Sequence, residues 1–455
     1  MTTPRSDSKT AVKEAGAPAL TTAVIVASGP MFEAGPPAIR FSDDPRPVTP
    51  LTEVAGLALF QRTVLTLQRA GITRLLILAD QHEAALRRCL SQDSRITALV
   101  RWIPVREFPP NDVKTWEALA GDIQGMCLVA GTHAVFSRGL VEHLRHEAQG
   151  KDSVLAVTSP SNGVAGSQDL AELLVLPVNL LGGSAGSLTA AKADEPPLRS
   201  IMRQASARGR LRTIAAVSDH THWYRSVRYE ADVREAERIL LHSLQSDLDG
   251  FVDTYFNRKL SRVLTRLFLF LRWPPNAITI LSILIGLSAA LFLSFGTYVA
   301  GVIGALLFQV SAIVDCCDGD VARLTFTESR FGAQLDLLGD NAVHMVMFAA
   351  IGWAGYADTQ SFAPLGLGAA AIAGSALSLW FVTRLKARPT QTESNHPGQQ
   401  SRADLLVHNL ANRDFSVVVL LFSLLNGLGV FLWLAAIGSN LFWLYAAWAG
   451  RPRAG

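Results

Sequence analysis

Cysteine is scarce in this chain: four in 455 residues, at Cys89, Cys127, Cys316 and Cys317. Neither their number nor their spacing builds a disulfide framework or a zinc finger, so the thiols read as reduced and structural in a protein that faces the cytosol. Net charge is nearly missing too. The 41 Lys and Arg against 38 Asp and Glu leave a formal +3, too little to argue for a nucleic-acid partner, and what matters is where the basic residues fall. The opening stretch MTTPRSDSKTAVKEAGAPAL has no apolar core of the length a secretory signal needs. Residues 1–20 are expected to be a disordered tail, with membrane insertion resting on later segments.

Apolar residues, by contrast, make up 49% of the chain, with mean hydropathy +0.26, and they are unevenly spread. Charges run throughout residues 1–250, whereas Ala277 to Ala449 is a series of apolar runs. Stretches at 277–295, 298–317, 333–352, 364–383, 415–433 and 434–449 each approach the roughly 20 residues a bilayer core requires, which predicts six transmembrane helices. Arg258, Lys259, Arg262, Arg266 and Arg272 precede the first span, Arg323 and Arg330 follow the second, and Arg384 to Arg413 separate the fourth from the fifth; the alternate loops lack Lys and Arg. By the positive-inside rule both termini face the cytoplasm, which predicts a multi-pass protein of the cytoplasmic membrane. Ahead of the first span, Arg258, Arg262 and Arg266 share a helical stripe opposite Phe256, Leu260, Val263, Leu264 and Leu267, the pattern of a helix lying in the interface with its arginines toward headgroups. Trp273-Pro274-Pro275 ends that helix and Asn276 can cap the next.

Four aspartates, Asp315, Asp318, Asp336 and Asp340, stand inside or beside these spans. An ionised carboxylate at membrane depth costs roughly 2.5 to 3.5 kcal/mol on insertion scales, and four together would repel one another. Divalent cations remove both objections, and oxygen-only ligands point to Mg²⁺, Mn²⁺ or Ca²⁺ rather than zinc. Asp315 and Asp318 are three residues apart and Asp336 and Asp340 four, so each pair shares one helix face, and a turn around 324–331 brings the pairs together as a cage for one or two ions. Gly319 and Ala322 leave room beside the first pair, and Arg323 is placed to fork onto phosphate oxygens. The expected ligand is a diphosphate bridged by metal.

Written as a pattern, these residues read D-x2-D-G-x2-A-R-x8-G-x3-D-x3-D, filled by Asp315, Asp318, Gly319, Ala322, Arg323, Gly332, Asp336 and Asp340. This resembles the signature of the CDP-alcohol phosphotransferases at every fixed position. The resemblance implies two Mg²⁺ or Mn²⁺ ions held by the four aspartates, with Asp340, beside Asp336, as general base on the acceptor hydroxyl. It implies Gly319, Ala322, Arg323 and Gly332 around the cytidine diphosphate. Pro275, Asn276 and Thr279 are similar to a P-N-x-x-T element that many members place near the nucleotide. Arg413, in Asn412-Arg413-Asp414, resembles an element of the inositol-phosphate branch, and with Arg384 and Lys386 on the same side it is an expected acceptor-phosphate site. The implied donor is a CDP-linked alcohol of the CDP-diacylglycerol or CDP-inositol type, the acceptor a polyol or polyol phosphate, and the oligomer a homodimer in membrane lipid.

In the charged half, Ala23–Ala27, Leu75–Ala79, Met126–Ala130 and Val154–Val157 read as buried strands, and Leu57–Arg69 and Gly139–Glu147 as helices, the pattern of a mostly parallel sheet. AVIVASG followed by PLTEVAGLALFQRTVLTLQRAGITRLLIL resembles the opening of a sugar-phosphate nucleotidyltransferase, a Rossmann-like fold, over residues 21–235. The departures fall on that family's chemistry. Ser28-Gly29-Pro30-Met31-Phe32-Glu33 replaces the phosphate-cradling loop, Ala58 replaces a lysine, Gly131-Thr132-His133 stands where a metal-binding aspartate is expected, and Trp223 to Arg228 replaces acidic residues. This half is therefore expected to be catalytically inactive.

The fusion resembles bifunctional inositol-phosphate cytidylyltransferase/di-myo-inositol-phosphate-phosphate synthases. The expected layout is an α/β nucleotidyltransferase-like domain at 21–235, a linker and interfacial helix at 236–274, and an all-α membrane domain at 275–455. The expected activity is transfer of a phospho-alcohol or phosphatidyl group with release of CMP. The alternatives are a bifunctional enzyme whose first domain keeps its cytidylyltransferase activity, and a non-catalytic membrane-anchored binding protein.

Overall fold

The computed structural model of the protein describes residues 20–28, 31, 46–80, 82–149, 152–160, 168–181, 196–216, 221–244, 258–386 and 415–449. Residues 1–19 of the expected tail, Gly29, Pro30, Phe32, Glu33, residues 245–257 and Arg413 lie outside these residues, whereas Leu20, the last residue of that expected tail, is buried in the first unit. The chain separates into two compact units, Met1–Ser243 and Leu244–Gly455.

The first unit runs β1 (Thr22–Val26), β2 (Glu53–Val54), β3 (Leu57–Ala58), α1 (Leu59–Arg69), β4 (Arg74–Ala79), α2 (Glu83–Ser91), β5 (Leu99–Pro104), α3 (Val113–Ala120), β6 (Met126–Gly131), β7 (Ala134–Phe136), α4 (Arg138–Ala148), β8 (Val154–Pro160), β9 (Gln168–Pro177), α5 (Pro197–Ala207), β10 (Leu211–Ala215), β11 (Tyr224–Ser226) and α6 (Glu230–His242). Seven strands form one sheet in the order β10-β8-β9-β6-β1-β4-β5. It is parallel except for β9, which runs against both β6 and β8.

The strands are apolar almost throughout because helices cover both faces of the sheet. Ala23, Ile25, Ile77 and Leu128 pack with Phe60 of α1 and Leu140 of α4, while Val24, Leu76, Leu78 and Val129 pack with Trp116 of α3 and Ile201 of α5. Each fully buried Leu or Ile contributes about 1.5 to 3 kcal/mol, so these two layers dominate the unit's stability. Local signals start the helices: Asp112 accepts from the Lys114 N–H at 3.0 Å at the head of α3, and Ser137 accepts from the Leu140 N–H at 3.1 Å at the head of α4.

The second unit runs α7 (Arg258–Phe270), α8 (Pro275–Ser294), α9 (Tyr298–Thr325), α10 (Arg330–Thr359), α11 (Ala363–Lys386), α12 (Phe415–Leu424) and α13 (Leu428–Ala449). Five of these are long and apolar enough to cross a membrane, and α12 is a shorter apolar helix. The break between the last two falls at 425–427, not at 433–434. Asn426, at φ 52°, makes the left-handed turn there, and Asn-Gly is a stronger stop than the apolar length that set the expected boundary. Large apolar side chains such as Leu284, Leu291 and Trp433 are more than half exposed on the outside of the bundle, where a lipid solvent would meet them. Small residues bring helices close: a Cβ on Gly339 of α10 would stand 2.7 Å from Cγ1 of Ile283 on α8.

Helix α7 differs from its expected pattern. Arg258 is 4% exposed and faces α9 with Ser261, Thr265 and Phe268, whereas Leu260, Val263, Leu267 and Phe270 are exposed. The reason is a buried carboxylate on α9, Asp320, which lies 3.3 Å from Nη1 of Arg258. This partner turns Arg258 inward, out of the expected stripe, and Arg262 Nε donates to the Arg258 carbonyl at 2.9 Å.

Candidate metal and phosphate site

Helices α9 and α10 are 28 and 30 residues long, about 42 and 45 Å at the usual rise, so each outruns a hydrocarbon core of about 30 Å. They meet at a tight corner. Phe326 closes α9 in the left-handed region, and Ser329 caps α10 by accepting from the Gly332 N–H at 2.9 Å. This corner sets the carboxyl end of α9 beside the amino end of α10.

Asp315 and Asp318 from α9 and Asp336 from α10 converge there, with one carboxylate oxygen from each lying within 4.8 Å of the others. Asp315 and Asp318 are each 8% exposed, and Asp336 is half-buried. Three carboxylates so close and so little hydrated repel one another unless a cation lies among them. The all-oxygen donor set fits a hard divalent ion such as Mg²⁺ or Mn²⁺.

Helix α8 supplies the support. Thr279 Oγ1 donates to Asp318 Oδ2, Ser282 Oγ shares its proton between the Thr279 carbonyl at 2.8 Å and Asp315 Oδ1 at 3.4 Å, and Ser311 Oγ of α9 donates to the Ser282 carbonyl at 2.7 Å. Such outer partners fix which lone pairs a metal ligand presents. Thr279, expected beside a nucleotide, thus bonds a carboxylate of the cluster, and Ser282 and Ser311 were not foreseen. Their signal was available: Thr279 and Ser282 are three apart on an otherwise apolar helix, hence on one face. Asn276 reaches Gly332, where a Cβ would stand 3.0 Å from Oδ1 of Asn276.

Asp340 lies outside the cluster of three. With Asp315 it borders a cavity of about 550 Å³ among α9 to α13, walled by Phe308, Phe348, Phe415 and Phe431 and by His344. The His344 ring is edge-on to Phe415 at 4.9 Å and to Phe308 at 5.7 Å. Among the expected acceptor residues, Arg384 is not on this wall; its guanidinium stacks 4.8 Å from the Trp380 ring.

Arg323 lies along α9 over Gly319, where a Cβ would be 3.6 Å from Nη2 of Arg323. The same Nη2 donates to Oδ1 of Asp320 at 2.7 Å. Ala322 is buried beside it.

In the first unit, the chain turns from one side of β1 to the other between β5 and β6. The carboxyl ends of β1 and β6 therefore flank the switch point where open α/β sheets bind ligands. Here that place holds Glu172 of β9, 2% exposed. Its Oε1 accepts from the Met31 N–H at 3.3 Å, and its own N–H donates to the Tyr224 hydroxyl oxygen at 2.8 Å. The carboxyl lies so tightly over Gly131 that a Cβ on that residue would come within 2.8 Å of Glu172 Cδ. Thr132 and His133 follow, both buried. Burial and the nearby Arg228 guanidinium hold the His133 imidazole below its ordinary value, and burial next to Glu172 pushes the Tyr224 phenol up.

"Bifunctional IPC transferase and DIPP synthase" from Aquifex aeolicus is 32% identical over 123 residues, 26% of this chain and 27% of that protein. "CDP-diacylglycerol--glycerol-3-phosphate 3-phosphatidyltransferase" from Cereibacter sphaeroides is 40% identical over 83 residues, 18% of this chain and 37% of that protein. The chain thus spans 27% to 37% of the length of these curated relatives. The solved inositol-1-phosphate CTP transferase from T. maritima aligns with 49% of this chain and 97% of its own at 10% identity and a TM-score of 0.35. Residues 272–439 match the family described as CDP-alcohol phosphatidyltransferase. That matching stretch takes in the aspartate cluster and most of the helices that are long and apolar enough to cross a membrane.

Proposed function

We propose that the protein transfers a phospho-alcohol or phosphatidyl group from a CDP-linked alcohol to a second alcohol and releases CMP. The observation that carries this reading is the convergence of Asp315, Asp318 and Asp336 at the shared end of α9 and α10, with Asp340 opening on the adjoining cavity. One or two Mg²⁺ or Mn²⁺ ions held by these four aspartates would neutralise the diphosphate and the departing CMP oxygen.

The chain's own residues do the rest. Gly319, Ala322 and Gly332 leave a shallow surface for the cytidine, with Asn276 and Thr279 at its edge and Arg323 forking onto phosphate. Asp340 takes the proton of the acceptor hydroxyl as its oxygen bonds to phosphorus and the bond from that phosphorus to the CMP oxygen breaks. Thr279 and Ser282 hold Asp318 and Asp315 in their ligating orientation. The acceptor enters by the cavity that Asp340 borders, and Arg384, Lys386 and Arg413 draw a phosphorylated acceptor toward it. The clustering of basic residues in alternate loops supports a site on the cytoplasmic face, and the enzyme works as a homodimer.

The first unit is read as a nucleotidyltransferase-like domain that no longer catalyses. Glu172 supports this, since a buried carboxyl at the switch point opposes a triphosphate by charge and fills its space. The name of the Aquifex relative favours a second reading, in which this unit still forms a CDP-alcohol. Full-length protein given CTP, Mg²⁺ and a panel of polyol phosphates distinguishes them: no pyrophosphate is expected, and sustained release would establish the bifunctional enzyme. Mass spectrometry of products formed from CDP-diacylglycerol or CDP-inositol with the same panel tests the transfer itself. A new phosphodiester appearing with CMP supports the reading, and its absence with every donor and acceptor pair refutes it.

A further inference from the structure

We propose that Asp320 is a positioning residue, holding the Arg323 guanidinium over Gly319 so that it meets the donor's diphosphate. Position 320 is unspecified in the aspartate pattern, and nothing in the sequence marks it. In the fold it is 2% exposed, one of the most buried charged side chains of the membrane unit. Its Oδ1 receives two cations, Nη2 of Arg323 from the same helix at 2.7 Å and Nη1 of Arg258 from α7 at 3.3 Å. A carboxylate this buried persists only when paired.

The geometry gives the pairing a direction. Asp320 and Arg323 are three residues apart, so the contact folds the long side chain back toward the amino end of α9. That is the side on which Asp318 and Asp315 stand. Gly319 makes the path possible, since no side chain rises between the guanidinium and the helix. Arg323 keeps 46% of its side chain exposed while Asp320 keeps 2%, so one edge of the fork is fixed and the other faces outward. Held this way, Arg323 gives up little rotamer freedom when it binds a ligand. Arg258 comes from α7, and its contact with Asp320 docks that helix on α9.

This inference rests on the transfer reaction proposed above, and the test separates the two. Full-length protein in nanodiscs with Mg²⁺ is titrated with CDP by calorimetry, and donor KM and kcat are measured by CMP release. D320N is expected to weaken CDP binding and raise donor KM about tenfold, the scale of one hydrogen bond to a charged group, with kcat changed less than about threefold. In an R323A background D320N should change neither quantity, because the residue it positions is gone. R258Q keeps an N–H donor for Asp320 and leaves the Asp320–Arg323 contact standing, so it should shift CDP binding less than about twofold. Should D320N fail to fold, D320E carries the same measurement, with the carboxylate displaced by one methylene. Equal effects of D320N with and without Arg323, equal effects of R258Q and D320N, or wild-type CDP affinity in folded D320E would each overturn the proposal. A wild-type protein that binds CDP with this coupling but never releases CMP would instead overturn the transfer reaction.

Discussion

Adding one methyl group at Gly339 should slow the reaction without touching any ligand. Gly339 immediately precedes Asp340, and a Cβ there would come to 2.7 Å from Cγ1 of Ile283, where ordinary contact begins at 3.4 Å. Cδ1 of Ile283 would lie nearer still, so relief requires α8 and α10 to part by about 1 Å or Ile283 to leave its rotamer, at an overpacking cost of about 1 to 3 kcal/mol. Alanine recovers about 1 kcal/mol of helix propensity, so net stability changes little. Position is another matter. Helix α8 holds the hydroxyls that orient Asp318 and Asp315, while α10 carries Asp336 and Asp340. A misplacement near 1 Å can cost about 10²-fold in rate, so G339A is expected to lower kcat about 10- to 30-fold. Thermal unfolding in detergent would stay near wild type. The double variant G339A/I283A, which clears the space, should restore most of the rate. CMP release at saturating donor is the assay; wild-type turnover by G339A, or no recovery in a folded double variant, would refute the reasoning.

T279V removes the hydroxyl bonded to Asp318 while keeping the side-chain shape, and should weaken the activating Mg²⁺ by about 10- to 100-fold in a metal titration of CMP release. His133 gives the first unit a pH dependence. Its imidazole is held below the ordinary value of 6.5, so the unfolded chain binds a proton more readily than the folded one. The stabilisation is complete above that value and is lost as pH falls below it. Denaturant midpoints measured from pH 7.5 down to 5 should therefore decline, and H133Q should flatten that decline; an unchanged slope would remove His133 as the cause.

Much of the architecture was legible in residue order. Val24, Leu76 and Val129 lie in runs too apolar for one-sided strands, and a buried parallel sheet is the arrangement that accepts them. The aspartate spacing is equally readable, because three- and four-residue intervals fix a helix face whatever the tertiary context. What escaped depends on contacts between distant segments. Arg258 looked like a headgroup arginine because its partner, Asp320, is sixty-two residues away. Glu172 drew no notice because β9 runs antiparallel, and only the registered sheet brings it over Gly131. Apolar length alone sets a boundary at 433–434, whereas the chain turns at Asn426-Gly427, where a loop is also legible from turn chemistry. His344, in an apolar stretch four residues past Asp340, gained meaning only once the cavity joined the two.

Replacing Asp340 with asparagine tests the central claim most directly. The change keeps the side-chain volume and leaves Asp315, Asp318 and Asp336 as they are, but it removes the group assigned to take the acceptor's proton. With purified protein in nanodiscs, Mg²⁺, a CDP-linked donor and its acceptor, CMP release should fall by about 10²- to 10⁴-fold while CDP still binds. Undiminished CMP release by a folded D340N protein would contradict the account.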